Sequence, residues 1–350
     1  PKFSVIMPVF NPPIKFLDQV IESVREQVYP HWELCIADDA SPNPEVRKSI
    51  EFHCHEDSRI RAVFRDQNGH ISAASNSALE LATGDFIALL DHDDRLHPLA
   101  LYYAAEEINR IPDCEVIYSD EDKLTRNGSR ISPYFKSDFD YELLLSQNMV
   151  SHIGVYRTET VRNVGGFRIG YEGSQDYDLL LRVIEKIKSH QIRHIPRVLY
   201  HWRISKQSVA ISADVKPYAV QSATQALSEH LENQKIQASV EPFRNFGYKI
   251  HYAIPDPPPV VELFFKPKTI DQKCLESLRS LLANTAYAPF TVSLIASEDK
   301  LKPSTMKAIQ TLNPSRFQYK DDDSQSINLD EMITSSSAQY IGLMDESCFA

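Results

Sequence analysis

The 350 residues, 42% hydrophobic and 24% charged, are typical of a globular protein with two domains or one large domain and an extension. A formal net charge of -11 argues against a nucleic-acid binder, and no apolar run approaches the ~20 residues of a membrane-spanning helix. The five scattered cysteines contain no CxxC pair and suit a reducing compartment, so we expect a cytoplasmic protein. Peripheral association with the inner face of the cell membrane stays open.

Strand and helix patterns alternate from the first residues onward. Apolar runs predict strands at 3–9, 33–38, 61–64, 85–90 and 116–119, and helical spacing predicts helices at 14–28, 70–82 and 98–110. This alternation predicts an α/β fold with a doubly wound, mostly parallel sheet.

The pattern changes after residue 211. A long helix is predicted at 215–233, followed by two short strand-like stretches in a hairpin-like extension. The run Pro255-Asp256-Pro257-Pro258-Pro259 is the clearest linker in the chain. We therefore predict a first domain at 1–254, a linker at 255–259 and a second region at 260–350.

The second region repeats the order of the first, with a strand, a helix, a strand and a later strand that ends in acids. Its acids differ from those of the first region. Ser297-Glu298 stands in place of Asp38-Asp39, and Asp345-Glu346-Ser347 in place of Asp91-His92-Asp93. We predict a partial, degenerate second α/β copy that holds no metal. Chance similarity between short α/β segments is the alternative.

One apolar run ends abruptly in carboxylates: Phe86-Ile87-Ala88-Leu89-Leu90-Asp91-His92-Asp93-Asp94. Ligands collect at the carboxyl ends of strands in open α/β sheets. Two carboxylates ~4 Å apart repel by ~4 kcal/mol at an effective dielectric near 20, and a divalent cation reverses that repulsion. In an extended chain Asp91 and Asp93 point the same way, so one can bind a ribose hydroxyl and the other Mg²⁺ or Mn²⁺. The alternative is a solvated turn that caps the helix near Pro98.

Asp38 and Asp39 end the second predicted strand. A carboxylate at this edge can accept hydrogen bonds from a base N–H or from ribose hydroxyls. The alternative is a turn in which one of them caps the helix after Pro44.

A helix is predicted to begin after Ser174, with that serine as N-cap. Asp178 and Arg182 form an ordinary i, i+4 pair on it. Asp176 has no such partner and is therefore a candidate general base. The alternative is that both acids simply favour the positive end of the helix dipole.

His201 and Arg203 follow an apolar stretch at 193–198. The histidine could complete a metal shell, and the arginine could neutralise a phosphate leaving group. A lone histidine near a strand is more often structural, and Trp202 is expected in the core. A second acid cluster, Asp120-Glu121-Asp122, is interpreted as a solvated loop.

Six motifs in this order resemble the family 2 glycosyltransferases, which are inverting enzymes of the GT-A fold that use nucleotide-sugar donors. The resemblance covers residues 3 to about 230, with motifs at 4–11, 38–39, 68–76, 91–94, 175–178 and 201–203. It is strongest to bacterial enzymes that build O-antigen or other surface polysaccharide, including rhamnosyltransferases. One departure is Ser75-Asn76, where many members have Arg-Asn.

The resemblance implies a role for each matching residue. It implies that Asp39 or Asp38 contacts the base and that Asp176 deprotonates the acceptor hydroxyl. It implies that Asp93 and His201 ligate the metal. The residues on the donor side would be Asn68, Gly69, Asp91 and Arg203, with Asp91 near the ribose. It also implies Mn²⁺ or Mg²⁺, a UDP- or dTDP-sugar donor, and a glycan or lipid-linked glycan acceptor. Two other functions stay open: a sugar nucleotidyltransferase, which can use a similar sheet and paired aspartates, and a catalytically silent glycan-binding scaffold.

Overall fold

The computed structural model describes residues 1–125, 127–204, 217–243, 247–267, 269–296, 303–312, 315–321 and 329–344. The chain divides into two compact units, Pro1–Ala253 and Ile254–Ala350. No helix in these described ranges is both long and apolar enough to span a lipid bilayer.

The first unit contains eleven strands and eight α-helices among the described residues. The strands are β1 (Phe3–Val9), β2 (Trp32–Asp38), β3 (Ile60–Phe64), β4 (Phe86–Leu89), β5 (Arg95–Leu96), β6 (Val116–Leu124), β7 (Arg130–Tyr134), β8 (Gly154–Arg157), β9 (Ile192–Arg203), β10 (Ala238–Phe243) and β11 (Gly247–Tyr252). The helices are α1 (Ile14–Arg25), α2 (Pro44–Glu56), α3 (His70–Leu81), α4 (Ala100–Arg110), α5 (Tyr141–Ser146), α6 (Thr158–Asn163), α7 (Gln175–Ile184) and α8 (Pro217–Asn233).

Strands β1 to β9 form one mixed sheet in the order β3-β2-β1-β4-β8-β6-β9-β5, with β7 paired to β6. The first four strands are parallel, as the alternation of strands and helices predicts. Strand β8 is antiparallel to both β4 and β6, and β9 is parallel to β6. Strands β1, β2, β4, β6 and β9 therefore all point the same way, and their carboxyl ends share one edge.

Helices cover both faces of the sheet, which explains the unbroken apolar character of its central strands. All seven residues of β2 are buried. On one face Val5 packs with Leu17 of α1, and on the other Ile6 packs with Ala74 of α3. The small alanine side chain of α3 adds little bulk between the helix and the sheet.

Strand β6 is longer than predicted and includes the acid cluster that was interpreted as a solvated loop. That interpretation is wrong, because Asp120, Glu121 and Asp122 lie in the strand and are each 3% exposed. The strand runs between β8 and β9, where neighbouring side chains supply partners for the acids. Strands β10 and β11 form an antiparallel hairpin at the two predicted strand-like stretches.

The second unit is a smaller α/β sheet. Its elements are β12 (Val261–Phe265), α9 (Gln272–Asn284), β13 (Phe290–Ala296), α10 (Pro303–Gln310), β14 (Phe317–Asp321), α11 (Leu329–Ser335) and β15 (Tyr340–Met344). The parallel order β14-β13-β12-β15 is the same as the order β3-β2-β1-β4. This supports the predicted second copy, which stays a prediction. Its altered acid positions, 297–298 and 345–347, lie outside the described residues.

Candidate active site

The carboxylates after β4 lie in a turn instead of the extended chain that we expected. The backbone N–H of Asp94 donates to the carbonyl of Asp91 at 3.3 Å. The buried Asp94 carboxylate accepts from the Tyr200 hydroxyl and from the Arg203 backbone N–H, both at 2.6 Å. These bonds leave out the carboxylate of Asp93, whose carbonyl accepts from Arg203 Nε at 2.5 Å. Asp94 therefore fixes the turn, while Asp91 and Asp93 remain available to a ligand.

A histidine that the sequence analysis did not identify completes this group. Asp91, Asp94 and His152 each place one potential ligand atom within 4.8 Å of the others. The His152 ring stacks on Tyr200 at 4.6 Å, and its Nε2 lies 3.9 Å from Asp91 Oδ2. No motif surrounds His152 in the sequence. Only a correct prediction of the four-residue strand β8 that follows it would have brought it to this edge.

Burial and neighbouring charges shift the pKa values of His152, Asp91 and Asp94. Burial lowers the pKa of His152, but a hydrogen bond to Glu121 and the charge of that carboxylate outweigh burial and raise it to about 9. Burial raises the pKa of Asp91; His152 opposes this shift and the charge of Asp93 reinforces it. Burial and the charges of Asp93 and Asp91 also raise the pKa of Asp94. In the absence of a cation these carboxyls are therefore harder to ionise than usual, and a hard divalent cation such as Mn²⁺ or Mg²⁺ would favour their ionised form.

The predicted base-contact residues lie together at the ends of β2 and β3. Asp39 is buried and accepts from Arg65 Nε at 2.8 Å and from the Gly69 N–H at 3.0 Å. Asn68 Nδ2 donates to the carbonyl of Asp39 at 3.1 Å. A Cβ at Gly69 would lie 2.6 Å from Arg65 Nη2, so this close approach favours glycine. Asp38 Oδ1, in contrast, is buried without a hydrogen-bond partner among the described residues.

Two aspartates in the first turn of helix α7, Asp176 and Asp178, have different partners. Ser174 is the N-cap, as predicted, although its hydroxyl donates to the carbonyl of Ala219 instead of capping the helix. Asp178 is held by Arg168 and by Arg182, the predicted i, i+4 partner.

Asp176 has no such cation among the residues described. Its Oδ2 accepts from Asn148 Nδ2 at 2.8 Å. The negative charge of Asp176 also contributes to raising the pKa of Asp91, which places these two carboxylates within electrostatic reach of each other. A carboxylate that has no cationic partner in the described part of the chain and is within electrostatic reach of the turn is a candidate general base.

His201 and Arg203 have protein partners. His201 Nδ1 bonds Asp122 Oδ1 at 2.7 Å, because the two residues are paired across β9 and β6, and His201 is outside the group formed by Asp91, Asp94 and His152. Arg203 is 2% exposed, donates to Gln19 Oε1 at 3.0 Å and lies 4.2 Å over the Phe16 ring. The structure therefore does not bring His201 into the carboxylate group, and Arg203 ties the turn to helix α1.

Comparison with known proteins relates the sequence to a family. Residues 4–165 match the sequence profile described as Glycosyl transferase family 2. The chain is 43% identical to the uncharacterized protein y4gI of Sinorhizobium fredii, over 84% of this chain and 33% of that one. It is 34% identical to the O-antigen biosynthesis protein RfbC of Myxococcus xanthus, over 89% of this chain and 24% of that one. The chain spans a third or less of the length of these curated relatives.

A solved structure supports the fold. Residues 1–349 of TarS from S. aureus, in complex with UDP-GlcNAc, align with a TM-score of 0.50 and 17% identity, covering 66% of this chain and 73% of that one. At this identity the likeness concerns the fold, and it confirms the predicted GT-A-type α/β architecture. Sequence profile, relatives and fold agree, and the chain therefore carries a domain of glycosyl transferase family 2.

Proposed function

We propose that this chain is an inverting, metal-dependent glycosyltransferase that moves a sugar from a nucleoside-diphosphate donor to a glycan or lipid-linked glycan. The observation that carries the proposal is the position of Asp176, which has no cationic partner among the described residues. Residues 148–152 link it to the acid-rich turn, because Asn148 donates to Asp176 and His152 Nε2 lies 3.9 Å from Asp91 Oδ2. The relative RfbC is named for O-antigen biosynthesis, and the TarS structure contains UDP-GlcNAc. Both support a nucleotide-sugar donor and a role in surface polysaccharide synthesis.

Asp176 is the catalytic base of this proposal. It takes the proton of the acceptor hydroxyl while the hydroxyl oxygen bonds to the anomeric carbon of the donor sugar. The bond from that carbon to the donor phosphate breaks, and the nucleoside diphosphate leaves with the electron pair. A single displacement inverts the anomeric carbon. General-base catalysis of this kind contributes roughly 10²–10⁴-fold in rate.

The donor base is recognised at the ends of β2 and β3. Asp38 offers a buried oxygen that lacks a partner in the described part of the chain, which suits the imide N–H that uracil and thymine share. Asp39 is already bound by Arg65 and Gly69, so it shapes the wall of the pocket together with Asn68. Asp91 lies on the ribose side. This assignment fits a UDP- or dTDP-sugar, dTDP-rhamnose included.

Asp93 would hold Mn²⁺ or Mg²⁺ beside Asp91, and the positive charge of the ion would stabilise a diphosphate leaving group. Arg203 and Asp94 keep the turn in shape through their mutual hydrogen bond. His201 is not part of this assignment, because it is bound to Asp122. We place the reaction in the cytoplasm, at the inner face of the cell membrane when the acceptor is lipid-linked.

Turnover of a sugar-nucleotide panel tests the proposal. The panel contains UDP-GlcNAc, UDP-glucose and dTDP-rhamnose with Mn²⁺, and the assay follows release of UDP or dTDP on transfer to glycan acceptors or to water. The proposal expects Asp176→Asn to bind UDP like the wild type and to lose at least 100-fold in turnover. Glu106→Gln, at an exposed acid on α4, is the matched control and should behave as wild type.

Near-normal turnover by Asp176→Asn would contradict the base assignment. Formation of pyrophosphate from a nucleoside triphosphate and a sugar 1-phosphate would identify a nucleotidyltransferase instead. Binding of glycan without turnover of any donor would favour the silent scaffold.

A further inference from the structure

Residues 148–152, here called the bridge segment, connect the proposed base to the acid-rich turn. At one end Asn148 Nδ2 donates to Asp176 Oδ2 at 2.8 Å. At the other end His152 Nε2 lies 3.9 Å from Asp91 Oδ2. Five residues therefore span the contact with Asp176 and the contact with Asp91.

The Asn148 side chain is fixed at both of its polar atoms. Its Oδ1 accepts the backbone N–H of Ser151 at 3.2 Å, while its Nδ2 donates to Asp176. Reversing the amide would break both bonds, so the side chain presents a donor to Asp176. With Oδ2 occupied in this way, the other oxygen of Asp176 is the one left for an acceptor hydroxyl.

A buried lysine donates hydrogen bonds to the backbone of the bridge segment. The Lys136 side chain is 0% exposed, and its Nζ donates to the carbonyls of Val150 and His152, both at 2.6 Å. Its third partner is Glu121 Oε2 at 3.4 Å. A buried ammonium group is tolerated only when its donors are satisfied, and here all three N–H bonds have acceptors.

Glu121, the third partner of Lys136, also contacts the bridge segment at His152. The same Oε2 accepts from the His152 backbone N–H at 3.2 Å and lies 3.3 Å from His152 Nδ1. The ring of His152 is further fixed by stacking on Tyr200. Lys136 and Glu121 together thus hold both the backbone and the ring of His152.

We propose that Lys136 and Asn148 are positioning residues for the transfer reaction: Asn148 orients the carboxylate of Asp176, and Lys136 keeps the bridge segment in register with Asp91. The inference rests on the proposed role of Asp176 as base. Neither residue touches the reacting atoms. Their effect is to fix the separation between the base and the donor side of the cleft, on which the rate of an oriented displacement depends steeply.

Asn148→Ala and Asn148→Asp test the first half. Asparagine and aspartate have the same shape, but the ionised carboxylate that Asn148→Asp introduces could not donate to Asp176. We expect both variants to bind UDP with Mn²⁺ within twofold of wild type and to lose 10- to 100-fold in kcat, with KM for the donor little changed. Gln147→Ala is the matched control, because its neighbouring amide donates to the Tyr134 hydroxyl at 3.1 Å, away from Asp176. A kcat within twofold of wild type in Asn148→Ala would overturn this half.

Lys136→Met tests the second half with a readout that needs no substrate. Methionine keeps the apolar stem and removes the three donors. We expect amide hydrogen exchange within residues 148–153 to accelerate at least tenfold, while exchange in α1 and α2 stays unchanged. Equal acceleration throughout the first unit would indicate a general structural role and overturn the proposal, and so would unchanged exchange in the segment.

The Asn148 variants and the exchange experiment on Lys136→Met distinguish a failure of this inference from a failure of the proposed function. If the wild type turns over no donor, the proposed function fails, and the exchange experiment still decides whether Lys136 holds the segment. If the wild type is active and Asn148→Ala is equally active, the positioning role fails while the proposed function stands. Should Lys136→Met not fold because Glu121 is left without its partner, the exchange experiment is carried out on Lys136→Met combined with Glu121→Gln, and the same outcomes decide.

Discussion

Two acid-rich segments lie near the same edge of the large sheet and differ in what surrounds them. In β6 every carboxylate meets a basic group: Asp120 contacts His194 at 2.9 Å, Glu121 contacts Lys136 at 3.4 Å, and Asp122 contacts Arg130 at 2.6 Å. In the turn at 91–94 the one side-chain ion pair of a carboxylate among the described residues is that of Asp91 with His152, at 3.9 Å, and His152 is shared with Glu121. Arg203 contacts the turn through its own backbone N–H and through the carbonyl of Asp93.

The pKa values of Glu121, Asp91 and Asp94 follow this difference. Its basic partners hold the pKa of Glu121 below its ordinary value despite burial. Burial and neighbouring acids raise the pKa values of Asp91 and Asp94. The acids of β6 therefore have charged partners within the protein, whereas our proposal assigns a bound cation to those of the turn. On this proposal, the scarcity of ion-pair partners among the described residues, more than the number of acids, marks the binding segment.

The largest expected effect is on stability, at Glu121. Glu121→Ala leaves the buried Lys136 without its carboxylate, and breaking such a pair costs about 3–5 kcal/mol in free energy of unfolding. Urea denaturation measures it. The double variant Glu121→Ala with Lys136→Met should recover part of the loss, because no charge is then left unpaired. A loss below about 1 kcal/mol in the single variant would mean that β6 does not depend on this pair.

The same contrast applies within helix α7. Asp178→Ala removes the partner of two arginines and should lower the free energy of unfolding by about 1–3 kcal/mol, a range reduced because Arg168 is partly exposed. Asp176→Asn should change it by less than about 0.5 kcal/mol, as expected for a residue without such partners. Thermal denaturation of both variants makes the comparison. Equal losses would remove the distinction between a neutralised and an available acid.

The pH dependence of stability probes His152, which contacts both Asp91 in the turn and Glu121 in β6. The folded-state pKa of His152 is raised from 6.5 to about 9, so its contribution is complete below pH 6.5 and is lost as pH rises through about 9. We expect the free energy of unfolding to fall by about 2 kcal/mol between pH 7 and pH 10. His152→Gln should flatten this part of the profile. An unchanged slope in the variant would contradict the assignment.

The smallest stability effect is expected in the turn itself. Without added metal, Asp93→Asn should change the free energy of unfolding by at most about 0.5 kcal/mol, because its carboxylate is not among the bonds that fix the turn. A small gain is the expected sign, since one of several like charges is removed. Denaturation in EDTA measures it. A loss above about 2 kcal/mol would place Asp93 among the structural acids.

Sequence patterns were sufficient for the parallel half of the sheet and for the acids at its edge. Asp38, Asp91 and Asp176 each follow a strand or open a helix with a clear period, and the edge rule for α/β sheets then predicts that they lie toward one edge of the sheet. Asn148, His152 and Lys136 could not be found in this way. Their functions depend on contacts with partners 28, 31 and 15 residues away, in segments without periodicity.

The acids of β6 show a second limit of local patterns. Their polarity is typical of a loop, and cross-strand pairing overrides that tendency. His201 shows the same effect. Its position in the motif suggested a metal ligand, but its partner across the sheet is Asp122, whose carboxylate bonds its ring nitrogen.

UDP binding with and without Mn²⁺, measured by calorimetry in wild type and Asp93→Asn, tests the central claim most directly. The account predicts that Mn²⁺ tightens UDP binding to the wild type at least tenfold, and that this gain disappears in Asp93→Asn while Glu106→Gln retains it. Equal Mn²⁺-dependent tightening in Asp93→Asn and wild type would show that the acid-rich turn does not hold the cation.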